Sequence, residues 1–87
     1  MKKYKILFKA SVEKDLRAIP KRDVIVIKNK IENELSYDPL RKSVALKGQF
    51  KGFYKYRIGK YRVIFKLSKE EVLILIVKIG HRKDVYR

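Results

Sequence analysis

Hydrophobic positions along this chain change their spacing from segment to segment. Residues 3 to 9 alternate, with Tyr4, Ile6 and Phe8 on one face and Lys3, Lys5 and Lys9 on the other. That period of two predicts a strand. Ser11 is then a candidate N-cap for a short helix in which Val12, Leu16 and Ile19 recur at helical spacing. Pro20 ends that helix or starts the next segment. From Lys21 to Tyr37 the residues Val24, Ile27, Ile31 and Leu35 form a helical stripe, with Lys28, Asn29, Lys30, Glu32 and Asn33 facing water. The run Val24-Ile25-Val26-Ile27 alone would suit a buried strand, but length and the later periodicity decide for a helix. Tyr37-Asp38-Pro39 is a stop signal.

The second half reads as strands. Gly52 opens a run from Phe53 to Ile58, Gly59-Lys60 is a turn candidate, Tyr61 to Leu67 is a second run, and Glu70-Glu71 marks another turn. Val72 to Ile79 is nearly continuous aliphatic, as in a strand covered on both faces. Short connections predict an antiparallel meander. The expected class is α+β, in the order β-α-α-β-β-β: an antiparallel sheet of about four strands with two N-terminal helices packed on one face. The first strand joins the same sheet, because a lone strand cannot satisfy its backbone groups.

With 87 residues, 46% of them hydrophobic, the chain is sized for one domain, residues 1–87, and one modest core. Cysteine is absent, which excludes disulfides and thiolate metal sites. The apolar stretch after Lys3 stops at Phe8, too short for a signal peptide, and no run approaches a transmembrane span. A cytoplasmic location without membrane contact is therefore expected.

Charge changes the picture most. Twenty-four Lys and Arg oppose nine Asp and Glu, for a net charge of +15. Between Pro39 and Lys69 stand ten basic residues and no acidic one. A solvated surface or adaptation to heat is the alternative reading, but heat adaptation enriches both signs. One sign alone points to a polyanionic partner.

Register turns this window into a site. If Gly59-Lys60 is a two-residue loop of type II′, Ile58 faces Tyr61 and Arg57 faces Arg62. Alternation then puts Tyr54, Tyr56, Ile58, Tyr61, Val63 and Phe65 on one face, and Lys55, Arg57, Arg62, Ile64 and Lys66 on the other. Two directly opposed arginines repel, and a phosphate that arginine grips bidentately would neutralise them. The alternative is an ordinary solvent-facing sheet surface. The end, Gly80-His81-Arg82-Lys83-Asp84-Val85-Tyr86-Arg87, either folds back so that Arg82 and Tyr86 join the cluster, or anchors on the core through Val85 and Tyr86.

The residue types narrow the chemistry. One histidine, no cysteine and scattered carboxylates offer no metal-ligand spacing and no two-histidine mechanism. RNA needs neither, since its own 2′-hydroxyl can attack the adjacent phosphorus, leaving a cyclic phosphate and a 5′-hydroxyl. The protein then supplies geometry, a base, an acid and positive charge. A tyrosine among cations has its phenolate favoured, whereas arginine, with a pKa above about 12, chiefly stabilises charge.

The strings Asp38-Pro39, Leu46-Lys47-Gly48, Tyr54 through Phe65 and His81 through Tyr86, with Tyr4 to Asp15, resemble the RelE/ParE superfamily of toxins over nearly the whole chain. The most specific part is Gly-x-Tyr-Arg-Val-Ile-Phe followed by the terminal His-Arg-x-x-Val-Tyr. The resemblance to RelE-type members implies a metal-independent endoribonuclease without cofactor, which cleaves messenger RNA in the ribosomal A site. It also implies a cognate acidic RelB-like antitoxin and a toxin–antitoxin hetero-oligomer. Carried over by position, Arg62 and Arg82 match arginines that stabilise the transition state, Arg82 also being proposed as acid. Tyr86 matches a base or base-stacking tyrosine, and Lys55 and Arg57 match a basic phosphate-binding pair. Lys47, Lys51, Lys60, Lys66, His81 and Lys83 are the further candidates for contacting RNA phosphate. Arg57 stands where well-known members carry lysine, which points it toward phosphate clamping rather than proton transfer. The rival readings are a ParE-type gyrase inhibitor of the same fold and a non-catalytic RNA-binding module.

Overall fold

A computed structural model describes residues 3–81 and residue 83. Strand β1 (Lys5–Phe8) leads into helix α1 (Ala10–Arg17) and helix α2 (Lys21–Lys30), which continues as one π-helical turn (Ile31–Leu35). There follow β2 (Ser43–Ala45), a 3-10 turn (Gly48–Phe50), β3 (Phe53–Ile58), β4 (Tyr61–Ser68) and β5 (Leu73–His81). The strands form one sheet in the order β1-β5-β4-β3-β2.

Several expectations are corrected. The sheet has five strands and is mixed, because β1 lies parallel to β5, Lys5 facing Leu73 and Phe8 facing Ile76. Turn chemistry dictates direction only for strands joined by a short loop, and β1 and β5 stand at opposite ends of the chain. The fifth strand, β2, has three residues, too few for alternation to register, and pairs antiparallel with β3. Nor does Ser11 cap α1: Lys9 is the N-cap, with extended backbone and no side-chain cap bond. Pro20 begins α2, its carbonyl accepting the N–H groups of Asp23 and Val24 at 2.9 and 3.0 Å. Its fixed φ and missing N–H suit it to a helix start.

The predicted helical stripes are the buried ones. Val12, Ile27 and Ile31 are fully buried, with Leu35 and Ile19 nearly so. They meet Tyr56, Ile58, Val63, Phe65, Ile74, Ile76 and Ile79 from the sheet. Ile25 and Val26, the residues that made this stretch ambiguous with a strand, face outward and are exposed. In the π-helical turn the N–H of Ser36 reaches back to the carbonyl of Ile31 at 2.9 Å. The Ser36 hydroxyl donates to the Glu32 carbonyl, and its own carbonyl accepts the N–H of Tyr4 at 2.7 Å. This ties the helix end to the start of β1.

Because β1 stops at Phe8, the last residues of β5 lack a strand neighbour on that edge. Asp15 of α1 fills the gap, its Oδ2 accepting the N–H of Ile79 at 3.1 Å. The β4–β5 ladder slips between Ile64 and Phe65, so that Ile64 faces Lys78 and Phe65 faces Ile76, leaving Val77 as a bulge. Among the described residues, only one sheet face carries helices. Leu73, Leu75 and Val77 are half-buried rather than buried, so β5 is not covered on both faces as its aliphatic run suggested. No helix among the described residues is long and apolar enough to cross a membrane.

Phe65 is fully buried and stacks on Tyr54 with ring centroids 5.5 Å apart. Phe65→Ala is expected to lower unfolding free energy by about 3–5 kcal/mol in urea denaturation. At Gly59 (φ +56) an added Cβ meets nothing within 4 Å. Gly59→Ala should therefore cost only the backbone penalty of left-handed geometry, about 1–2 kcal/mol in the same measurement.

Candidate functional site

The hairpin of β3 and β4 takes the predicted register: Ile58 faces Tyr61, Arg57 faces Arg62, and Lys55 faces Ile64. Gly59 has positive φ and Lys60 does not, as a type II′ loop requires. Tyr56, Ile58, Tyr61, Val63 and Phe65 are buried toward the helices. Lys55, Arg57, Arg62 and Lys66 therefore share the face without helices. On the next strand Gly80 faces Arg62, so no β5 side chain covers the arginine from that side.

Nothing described on this face neutralises it. The ion pairs among the described residues are Lys3–Glu32, Arg17–Glu13, Lys30–Glu34 and Lys42–Glu34, all away from Lys55, Arg57, Arg62 and Lys66. Arg57 Nε donates to the Gly59 carbonyl at 3.3 Å. Arg62 Nε is buried and has no hydrogen-bond partner among the described residues. Buried N–H groups are paired in the great majority of cases, and like charges on opposed strand residues repel by on the order of 1 kcal/mol. Both features are costly in the free protein, and a bound anion would relieve the repulsion. Phosphate has the matching chemistry, since its oxygens accept hydrogen bonds from guanidinium groups.

The remaining candidates lie at varied distances from this pair. Lys55 is half-buried beside it, and Lys66 is exposed with its Nζ 4.8 Å over the Phe53 ring. Lys47 and Lys51 flank the 3-10 turn and are exposed. Lys60, in the hairpin loop, places its Nζ 5.6 Å over the Tyr61 ring. His81 pairs with Tyr61 across the strands, ring edge to face at 6.3 Å, which puts it on the helix side of the sheet, away from Arg57 and Arg62. The exposed Lys83 donates its N–H to His81 Nδ1 at 3.3 Å. Arg82 and Tyr86 lie outside the described residues. Lys78, which the sequence reading passed over, joins the helix-free face because the Val77 bulge turns two successive side chains the same way. No local signal in the sequence marks that bulge.

Two hairpin tyrosines are set against ionisation. Tyr56 OH donates to Glu34 Oε1 at 3.4 Å, and burial, reinforced by the Glu34 charge, pushes its pKa up to about 12. Tyr61 OH donates to Asp23 Oδ2 at 2.6 Å, and that bond, with burial and the Asp23 charge, also raises it. Glu34 is held below its ordinary value, first by its hydrogen bond from Lys30. These phenols are structural donors to carboxylates, not bases poised near neutrality.

Residues 6–86 match the family described as the ParE toxin of the type II toxin–antitoxin system. Toxin RelG of Mycobacterium tuberculosis is 29% identical over 84 residues, covering 97% of each chain. A chain of the RelBE2 toxin–antitoxin complex of the same organism superimposes with a TM-score of 0.89 at 26% identity, over 93% of this chain and 100% of that one. A chain of the intact Escherichia coli RelBE toxin–antitoxin complex, at 19% identity and TM-score 0.72, shares the fold over 90% of this chain and 95% of its own.

The Tyr56 shift has a definite sign. A phenol whose folded pKa exceeds its unfolded value near 10 contributes stability below pH 10, lost as pH climbs toward 12. Denaturation midpoints of wild type should therefore fall more steeply than those of Tyr56→Phe between about pH 10 and 12. The phenolate absorbance lost in Tyr56→Phe should be that which develops near pH 12.

Proposed function

The chain belongs to the ParE toxin family of type II toxin–antitoxin systems, and from that premise we propose that it is an endoribonuclease that cleaves messenger RNA in the ribosomal A site. The observation that carries this reading is the opposed pair Arg57 and Arg62, which among the described residues pair with no carboxylate and include a buried Arg62 Nε without a partner. An inhibitor that acted only by docking on a protein would have little use for so unfavourable an arrangement. A phosphodiester gives it a ligand.

In this mechanism the substrate brings its own nucleophile. The 2′-oxygen attacks the adjacent phosphorus as the bond to the 5′-oxygen breaks, leaving a 2′,3′-cyclic phosphate and a 5′-hydroxyl. Arg57 clamps the phosphate, while Arg62 donates to the non-bridging oxygens, whose charge grows in the transition state. Lys55 adds positive charge beside them. Tyr86 takes the 2′-hydroxyl proton, or stacks on a base while water takes it, and the departing 5′-oxygen takes a proton from Arg82 or from water beside it; both assignments rest on the family resemblance. The single toxin domain of residues 1–87 would be silenced by an acidic RelB-like antitoxin that neutralises the same cations. A second reading, inhibition of DNA gyrase, is favoured by the ParE description of the matched family.

Primer extension on a messenger in a reconstituted translation reaction tests the reading. Wild type should cut at A-site codons only with ribosomes present, and Arg62→Ala should lose on the order of 10²–10³-fold in rate. Arg62→Lys should recover little of it, because a point charge cannot replace the two-pronged donor. Full activity of Arg62→Ala would remove its catalytic role. Absence of cutting by wild type, with loss of DNA supercoiling in its presence, would establish the gyrase reading. Tyr86→Phe separates proton transfer from stacking: a rate matching wild type leaves only the ring at work.

A further inference from the structure

The helix-free face of the sheet is not uniformly polar. It holds a groove of about 400 Å3, walled by Leu46, Phe50, Phe53, Ile64, Leu75 and Val77. That volume falls within the roughly 300–1,000 Å3 range of small-molecule sites. Lys9, Lys66 and Lys78 complete the lining, and no carboxylate takes part among the described residues. The Val77 bulge and the 3-10 turn that carries Phe50 both shape it. Bulges commonly re-aim side chains beside functional sites.

We propose that this groove receives a nucleobase of a single-stranded RNA whose neighbouring phosphate sits on Arg57 and Arg62. The inference rests on the ribonuclease reading and extends it to a base-binding subsite. Position supports it first. Along β4 the outward side chains are Arg62, Ile64 and Lys66 in turn, each about 7 Å from the next at roughly 3.4 Å per residue. One chain can therefore reach both places within a nucleotide step. Chemistry supports it second. Phe50 and Phe53 offer aromatic surface, and bases stack on such surface with little regard to sequence. The lysine rim provides for the flanking phosphates. An apolar side chain of an acidic peptide would fill the groove too, and the test below separates that occupant from a base.

The test measures binding of a short, single-stranded 2′-O-methyl oligoribonucleotide, which cannot undergo 2′-hydroxyl attack, against the same strand with one base deleted at each position in turn. With wild type, deletion at one position should weaken binding by at least about 5-fold, the lower end for a stacked base. In Phe53→Leu, which keeps the groove apolar, intact and base-deleted strands should bind alike, with the salt dependence of wild type retained. Phe50→Leu provides the same comparison should Phe53→Leu prove unstable. Equal affinity of every strand for wild type would overturn the proposal, as would no RNA binding at low salt. So would an acidic helical peptide that loses affinity for Phe53→Leu while RNA does not. Cleavage is absent from this assay, so failure of the ribonuclease reading shows in primer extension and failure of the groove shows here.

Discussion

A chain reversal of two residues at Gly59-Lys60 sets the register of the central hairpin, and the surface chemistry follows from that register. Once Ile58 faces Tyr61, Arg57 must face Arg62, since side chains alternate with a period of two. One residue of slip in β4 would turn Arg62 toward the helices and expose Tyr61, Val63 and Phe65. The apolar face forbids that slip. The hydrophobic core therefore holds the two like charges together, and their repulsion is small beside the apolar burial that depends on the same pairing.

The second constraint is the asymmetry of the sheet. Both helices cover one face, so Val12, Ile27, Ile31 and Leu35 close a single core, while the other face stays open. On that face Arg62 has a buried N–H without a partner among the described residues, and Leu75 and Val77 are half-exposed in a groove. A stability-only surface would pair the first and cover the second. The tyrosines show the opposite treatment: Tyr56 and Tyr61 face the helices and give their hydroxyl protons to Glu34 and Asp23. Acidic residues are thus engaged on the helix side, and the helix-free face keeps its positive charge.

Membership of the toxin family and the shared fold agree with this division of labour. In the related RelBE complexes the toxin is seen bound to an antitoxin. A chain of net charge +15, whose helix-free face has no ion-paired lysine or arginine among the described residues, has the electrostatics for an acidic partner as well as for RNA. On the proposed reading the two would compete for the same arginines.

Much of this protein is legible in its sequence, because the relevant signals are local. Alternation marked β3 and β4 to the residue at their starts, helical spacing marked the buried stripe from Val24 to Leu35, and a glycine at the turn announced the opposed arginines. The direction of β1 was not legible, because parallel pairing with β5 joins residues at opposite ends of the chain with no turn to encode it. Strand β2 is too short to show a period, and the bulge at Val77 depends on how two strands fit against a common core. The place of His81 was also decided by the fold, since pairing with Tyr61 carries it to the helix side although its neighbours are basic. The sequence alone determined which residues bear the positive charge and which pairs oppose across the hairpin. Tertiary packing decided which face stays open and where a groove adjoins it, since those depend on long-range contacts that no local period records.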